Sequence, residues 1–345
     1  MVRPFFFFAC LVTCTSALPS TMRAVYPTRY IGTNFTALSV GTKTVPTPKA
    51  SQVLIAVNTS SVNPCDLDLM QSRVEADAAI LLKKTLGFDV AGVVVAVGAA
   101  CTRLKVGDEV WTDLGDLGLK AGIAEMGAFA DYALAEEVQV GIKPSTLSFE
   151  EAGVVPLVGI TNYQAFVKAG APWDPADNKT VVITSGQGGT GHLAIQMARN
   201  LGAGFIVSTA DTAHMDYVRS LGADLVVDFT KQEVFDVLTA DSVDVVYDNF
   251  GGKGDADDAM PVLREGGVLV MIQGKLSKHP KAGVKQFKLL ASTKTHVELD
   301  AMKGWAEAGT LMPTVLQSFP LEHVGEAYAT DGAGKVIGKL AVRVA

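Results

Sequence analysis

From Met22 to about Lys143 the apolar positions fall in short runs that alternate with polar residues or are rich in β-branched side chains: Arg23 to Tyr26, Gln52 to Thr59, Val90 to Val97, Glu109 to Trp111 and Ala128 to Ala133. Turn residues separate the runs, and the spacing predicts a β-rich domain. The grammar changes at Ser148, which with Glu151 makes a capping box. An amphipathic helical segment is expected from there through Tyr163 to Ala169, closed by a loop at Gly170, Pro172 and Pro175. Strands then follow at Thr180 to Thr184, Phe205 to Thr209, Leu225 to Asp228, Val243 to Asp248 and Val268 to Ile272. Helices are expected between them, at Leu193 to Leu201, Ala213 to Leu221, Gln232 to Leu238 and Ala256 to Leu263. That alternation predicts a doubly wound parallel sheet and an α/β fold class. A sixth strand is expected at Lys288 to Ala291, and from Val297 the chain returns to helix, turn and β character, ending in a strand from Gly338 to Val344.

A domain takes roughly 100 to 200 residues, so a chain of 345 residues is expected to hold two. Its 48% apolar and 19% charged residues exclude a mainly disordered or fibrous state. The 29 Lys and Arg against 36 Asp and Glu leave a net charge of -7, which offers no cationic field to a phosphate backbone, so no nucleic-acid partner is expected. Of the four cysteines, Cys10 and Cys14 lie at the extreme N-terminus; Cys65 and Cys101 make neither a disulfide framework nor a zinc cluster.

That N-terminus has its own pattern. Arg3 precedes the apolar run Phe5 to Val12, and the small residues Thr15, Ser16 and Ala17 follow before Leu18 and Pro19. The run is shorter than the about 20 residues a membrane span needs, and residues 1–17 read as a cleavable signal or targeting peptide. The Ser-Ala-Leu-Pro junction resembles bipartite presequences, so the expected route is the secretory pathway or an organelle reached through it, a plastid included, with a soluble product and no membrane span. Sequons at Asn34, Asn58 and Asn178 would matter on that route.

Gly186-Gln187-Gly188-Gly189-Thr190-Gly191 lies between a predicted strand and a helix beginning at His192. A G-x-G-x-x-G in that setting binds a dinucleotide: the first glycine allows a tight turn, the second lets the backbone approach a pyrophosphate, and the third packs helix on strand. The free amides of the helix N-terminus then stabilise the phosphates. Asp211, about 20 residues further on, stands where a carboxylate bonds an NAD ribose; it equally suits the N-cap of the next helix.

Together with Ser61-Val62-Asn63-Pro64-Cys65-Asp66, Leu86-Gly87-Phe88-Asp89-Val90-Ala91-Gly92, Val106-Gly107-Asp108-Glu109-Val110, Pro156-Leu157 with Thr161, Ser220-Leu221-Gly222-Ala223-Asp224 and Gly338-Lys339, this loop resembles the zinc-independent, quinone-oxidoreductase-like branch of the medium-chain dehydrogenase/reductases, which includes alkenal and enoyl reductases. The resemblance covers Met22 to Val344. It implies a GroES-like catalytic domain over 22–147, completed by 299–345, and a Rossmann domain over 148–298, with the active site between them. Zinc-bearing relatives place a cysteine at the position of Asn63 and Gly-His-Glu at Gly87-Phe88-Asp89, and a four-cysteine lobe near Cys101 to Met126; this chain lacks both sets, so no metal is expected. The resemblance puts Asn63 in the cleft, where its amide is suited to orient a nicotinamide or a substrate carbonyl, the alternative being a turn residue before Pro64; Asp66 is the second catalytic candidate, the alternative being a cap of the helical stretch that follows. Thr161, Asn249 and Gln273 are expected to line the nicotinamide crevice at the carboxyl ends of strands, and Tyr132 to belong to the core. NADPH is the expected cofactor, with NADH an alternative, because Asp211 opposes a 2′-phosphate and His214 is the one candidate base in that segment. The expected activity is hydride transfer to a quinone or an α,β-unsaturated carbonyl, a small electrophile. An enoyl-thioester reductase of lipid synthesis and a non-catalytic dinucleotide-binding protein are the alternatives, and a homodimer is left open.

Overall fold

The computed structural model describes residues 18–27, 38–66, 84–115 and 127–345. Residues 1–17, expected to be a targeting peptide, and the sequon at Asn34 lie outside them. The N-terminal part is built from β1 (Thr21–Pro27), β2 (Leu38–Thr44), β3 (Gln52–Ser61), β4 (Asp89–Val97), β5 (Glu109–Asp113), β6 (Tyr132–Glu136) and β7 (Gly141–Ile142). Strands β1 and β2 form a separate antiparallel pair. Its second strand, half exposed throughout, has no apolar alternation strong enough to announce it. The expected strand at Ala128 to Ala133 begins later, at Tyr132: Ala128 to Ala130 are fully buried but only Ala130 bridges to Ala24. Half-buried Tyr132 stands in β6, as expected.

The capping box is present: Ser148 accepts from the Glu151 amide and Glu151 returns a bond to the Ser148 amide. It opens only α1 (Phe149–Ala152); the chain breaks at Gly153 and restarts as α2 (Pro156–Lys168), with Pro156 in the first turn where its missing N–H costs nothing. One expected helix is thus two.

The six strands β8 (Thr180–Ile183), β9 (Phe205–Ala210), β10 (Leu225–Asp228), β11 (Val243–Asp248), β12 (Leu263–Met271) and β13 (Lys285–Lys288) form one parallel sheet in the order β10-β9-β8-β11-β12-β13. Its central strands are buried on both faces, which is why Val181 to Ile183 and Val245 to Tyr247 read as continuous apolar runs. Helices α3 (Gly191–Asn200) and α4 (Met215–Ser220) are close to expectation. The helix expected at Gln232 to Leu238 is a single 3-10 turn over Val234–Val237, because Leu238 is already extended. The one expected at Ala256 to Leu263 shrinks to α5 (Asp255–Asp258), since Leu263 enters β12. The sixth strand ends where it was expected to begin, at Lys288.

After α6 (Val297–Glu307), strand β14 (Val315–Pro320), helix α7 (Val324–Gly332) and strand β15 (Lys339–Arg343) return to the first part. β15 pairs antiparallel with β3 and parallel with β14, completing a seven-stranded sheet. One apolar cluster joins both parts: Ala91, Trp111 and Ala341 pack in it with Val181, Ile183 and Tyr247. Phe166, fully buried on α2, stands edge-on to Trp173 at 5.9 Å and to Tyr247 at 5.3 Å. Removing that ring leaves a cavity between α2 and the parallel sheet, so Phe166→Ala should lower unfolding free energy by about 3 to 5 kcal/mol in urea titration; a loss under about 1 kcal/mol would show that α2 is not tightly packed there.

Candidate active site

Two residues past the end of β8 stands Ser185, at a φ of 51°, and the glycine loop follows. Its glycines are required for different reasons. A Cβ on Gly186 would stand 2.2 Å from Ser208 Oγ, and one on Gly191 2.0 Å from the Ser185 carbonyl. Both are demanded by the protein itself. A Cβ on Gly188 would meet nothing closer than Ser185 Oγ at 3.0 Å, so this glycine is not forced by backbone packing. Thr190 at the N-cap of α3 makes no side-chain capping bond, so the helix N-terminus keeps its affinity for an anion.

Buried Asn162 on α2 holds the far end of the loop, its Nδ2 donating to Thr190 O at 3.0 Å while its Oδ1 accepts from the Tyr247 hydroxyl at 2.9 Å. Its neighbour Thr161, the residue expected here, turns its hydroxyl back onto Leu157 O at 2.8 Å. Buried His192 adds a bond between Nδ1 and Gly188 O and accepts the Thr314 amide at Nε2. Burial pushes its pKa down to about 4, so it is neutral at pH 7.

At the end of β9, Asp211 caps the turn Thr212–His214 through the His214 amide, and the same oxygen contacts His214 Nδ1 at 2.6 Å. Its other oxygen accepts from Gln187 Nε2 at 3.0 Å. Burial opposes ionisation, but the bonds from Gln187 and His214 win and hold the carboxyl below its usual range. Both of its oxygens are thus engaged within the protein. Asn249, after β11, is pinned by its amide to Thr184 Oγ1 at 3.0 Å. The loop it begins touches that of Gln273, which is exposed: a Cβ on Gly251 would stand 2.5 Å from the Gly274 amide nitrogen.

The opposite wall is a buried polar cluster. Asn63, fully buried, donates from Nδ2 to Asp89 Oδ2 at 2.8 Å, and its Oδ1 accepts from Lys339 Nζ at 2.6 Å. Lys339, 5% exposed, also donates to Val62 O at 2.8 Å. Asp89 further accepts from Ser61 Oγ at 2.5 Å and from the Leu157 amide at 2.7 Å. The Asn63 side chain is thus anchored in the wall by one bond at Nδ2 and one at Oδ1. Sequence reasoning passed over Lys339, Asp89 and Asn162; a charged or amide side chain inside an apolar run was the available signal.

The donor set does not fit a zinc ion. An ammonium already stands at the Asn63 oxygen, apolar Phe88 fills the next slot, and no group of three or more potential ligands occurs among the described residues.

Asp66 is 1% exposed and accepts the Asn63 amide at 2.9 Å, with the Tyr328 hydroxyl a second partner. Burial pushes its carboxyl up to about 7, outweighing both hydrogen bonds; burial likewise pushes the Cys65 thiol up, so that thiol is no nucleophile. Because the folded value of Asp66 exceeds the unfolded one near 4, the folded state holds the extra proton. Its stabilising contribution is full below about pH 4 and is lost as pH rises through about 7. The stability of the wild type relative to Asp66→Asn should therefore fall across that window by a few kcal/mol, read from urea midpoints at each pH; a flat difference would place the titration elsewhere.

Two family models match the chain: an alcohol dehydrogenase GroES-like domain over residues 49–161 and a zinc-binding dehydrogenase over residues 221–342. The chain is similar to the 2-methylene-furan-3-one reductase of Solanum lycopersicum, 33% identical over 334 residues that cover 96% of this chain and 81% of that protein. It is 32% identical to the NADPH-dependent alkenal/one oxidoreductase, chloroplastic, of Arabidopsis thaliana, covering 96% and 82%. The quinone oxidoreductase structure from Coxiella burnetii shares the fold, with a TM-score of 0.79 at 24% identity, covering 94% of this chain and 100% of that one.

Proposed function

The chain belongs to the medium-chain dehydrogenase/reductase superfamily, and on that footing we propose that it reduces the activated alkene of an enal or enone, or a quinone, with hydride from NADPH and without a metal. The observation that carries the reading is the glycine loop ahead of an uncapped helix N-terminus, facing across the cleft a wall whose buried cation is Lys339. The relatives that span the chain, a furanone reductase and an alkenal/one oxidoreductase, support the substrate class.

When bound, NADPH supplies the hydride, and the reaction takes up one proton to complete the saturated carbonyl or hydroquinone. The chain's own part is placement. The open side of Gly188 admits a pyrophosphate, the amides at the start of α3 stabilise it, and the loops of Asn249 and Gln273 border the reacting end. Orientation of this kind accounts for about 7 to 11 kcal/mol of barrier, whereas a general acid adds about 10² to 10⁴ in rate. Buried Asp66 and Asn63 therefore serve the geometry of the wall.

The test is NADPH oxidation with an enal, an enone and a quinone, before and after chelation. Turnover that survives chelation is expected; loss that zinc restores would overturn the metal-free part, and no turnover with any acceptor would overturn the activity. Gly188→Val should still fold and should lose NADPH binding at least 100-fold, measured by nicotinamide fluorescence, since its side chain would occupy the phosphate space.

The proposal extends to the leader. Residues 1–17 act as a targeting peptide, a reading the relative named as chloroplastic supports. Sequencing of the native N-terminus should find it at or after Leu18, and an intact Met1 would refute it.

A further inference from the structure

The glycine at position 189 is not required by the G-x-G-x-x-G pattern, which leaves that place free. The structure gives it a different reason. A Cβ built there would stand 2.8 Å from Lys339 Cδ and 3.2 Å from the Gly338 carbonyl. The stem of Lys339 lies against the phosphate loop, while its ammonium, buried, reaches Val62 O and Asn63 Oδ1 on the opposite wall. Backbone bonds hold the same place: the Gly338 amide donates to Gln187 O at 2.9 Å, and the Lys339 amide to Thr314 O at 2.9 Å. Gly338 takes a φ of 63° there, and a Cβ on it would stand 2.3 Å from Thr314 O. The β15–β3 register, with Ala341 opposite Ser61, carries on to set Lys339 beside Asn63. One side chain thus spans from the cofactor loop to the wall.

We propose that Lys339 is a positioning residue that sets the separation between the glycine loop and the Asn63 wall, and so the distance the hydride crosses. This rests on the reductase reading above. A neutral side chain of similar length would keep the stem contact and lose the grip on Val62 and Asn63, leaving the wall to settle at another distance. Hydride transfer needs reacting atoms about 3 to 3.5 Å apart, and a displacement of about 1 Å costs on the order of 10²-fold in rate. Binding at the loop, by contrast, depends on amides that Lys339 does not touch.

The experiment measures single-turnover hydride transfer to an enone and the NADPH dissociation constant separately, for the wild type, Lys339→Met, Lys339→Arg, Asn63→Ala and the Lys339→Met/Asn63→Ala pair. Lys339→Met is expected to slow hydride transfer about 10- to 100-fold while the dissociation constant moves less than about threefold. Lys339→Arg, which restores a cation with two donors, should recover most of the rate. The double variant should be slowed by less than the product of the two single effects, since both remove the Lys339–Asn63 bond. A wild-type rate in Lys339→Met, a loss of binding that accounts for the loss of rate, or additive effects in the pair would each overturn the proposal. If Lys339→Met does not fold, Gly189→Ala keeps the ammonium and displaces the stem; an unchanged hydride rate at saturating NADPH then overturns it. Absence of turnover in the wild type with every acceptor would instead overturn the reductase reading.

Discussion

A single buried carboxylate holds the cleft together. Asp89 is fully buried, where an ion without partners costs several kcal/mol. One oxygen accepts from Ser61 and Asn63 beside it in the first part of the chain, and the other accepts the amide of Leu157, in the first turn of α2. That amide is one of the donors a helix leaves unsatisfied at its start, and Val155 at the N-cap makes no side-chain bond. Asp89 is thus a cap supplied from another sheet, favoured by the helix dipole. The two parts of the molecule meet in the arrangement that satisfies it.

The positive counterpart is Lys339, which brings a charge to the same buried cluster and takes the remaining oxygen of Asn63. Removing any member would leave another buried polar group without its partner, which costs more than the bond itself contributes. This interdependence explains why Asn63 behaves as part of the wall.

The glycine loop is held from three sides: by Asn162 and Tyr247 behind it, by the Gln187–Asp211 bond at the end of β9, and by Gly338 and Lys339 in front. The apolar floor is continuous from Trp111 to Tyr247. A loop gripped in this way presents its amides without reorganising, which is the condition for orientation to contribute to catalysis.

The period of the apolar residues was enough to read the parallel sheet, because strands buried on both faces are mostly apolar, and the glycine loop was legible because a Cβ at Gly191 would strike the Ser185 backbone and one at Gly186 the side chains of Ser208, Ile195 and Val218. The capping box at Ser148 was equally local. Where elements depended on partners the reading failed. Strand β2 is half exposed and exists through pairing with β1, and the segment at Gln232 to Leu238 has helical composition but only one 3-10 turn, set by the strands on either side. The roles of the site residues were likewise undecided. Asn63 and Lys339 are 276 residues apart, and although the resemblance implied that the C-terminal tail completes the first domain, nothing local to either residue indicates that the two side chains meet. Sequence determined the type of fold and the place of the phosphate loop, since periodicity and glycine sterics act over a few residues; tertiary structure decided which polar groups neutralise one another, because burial and partner are properties of the assembled core.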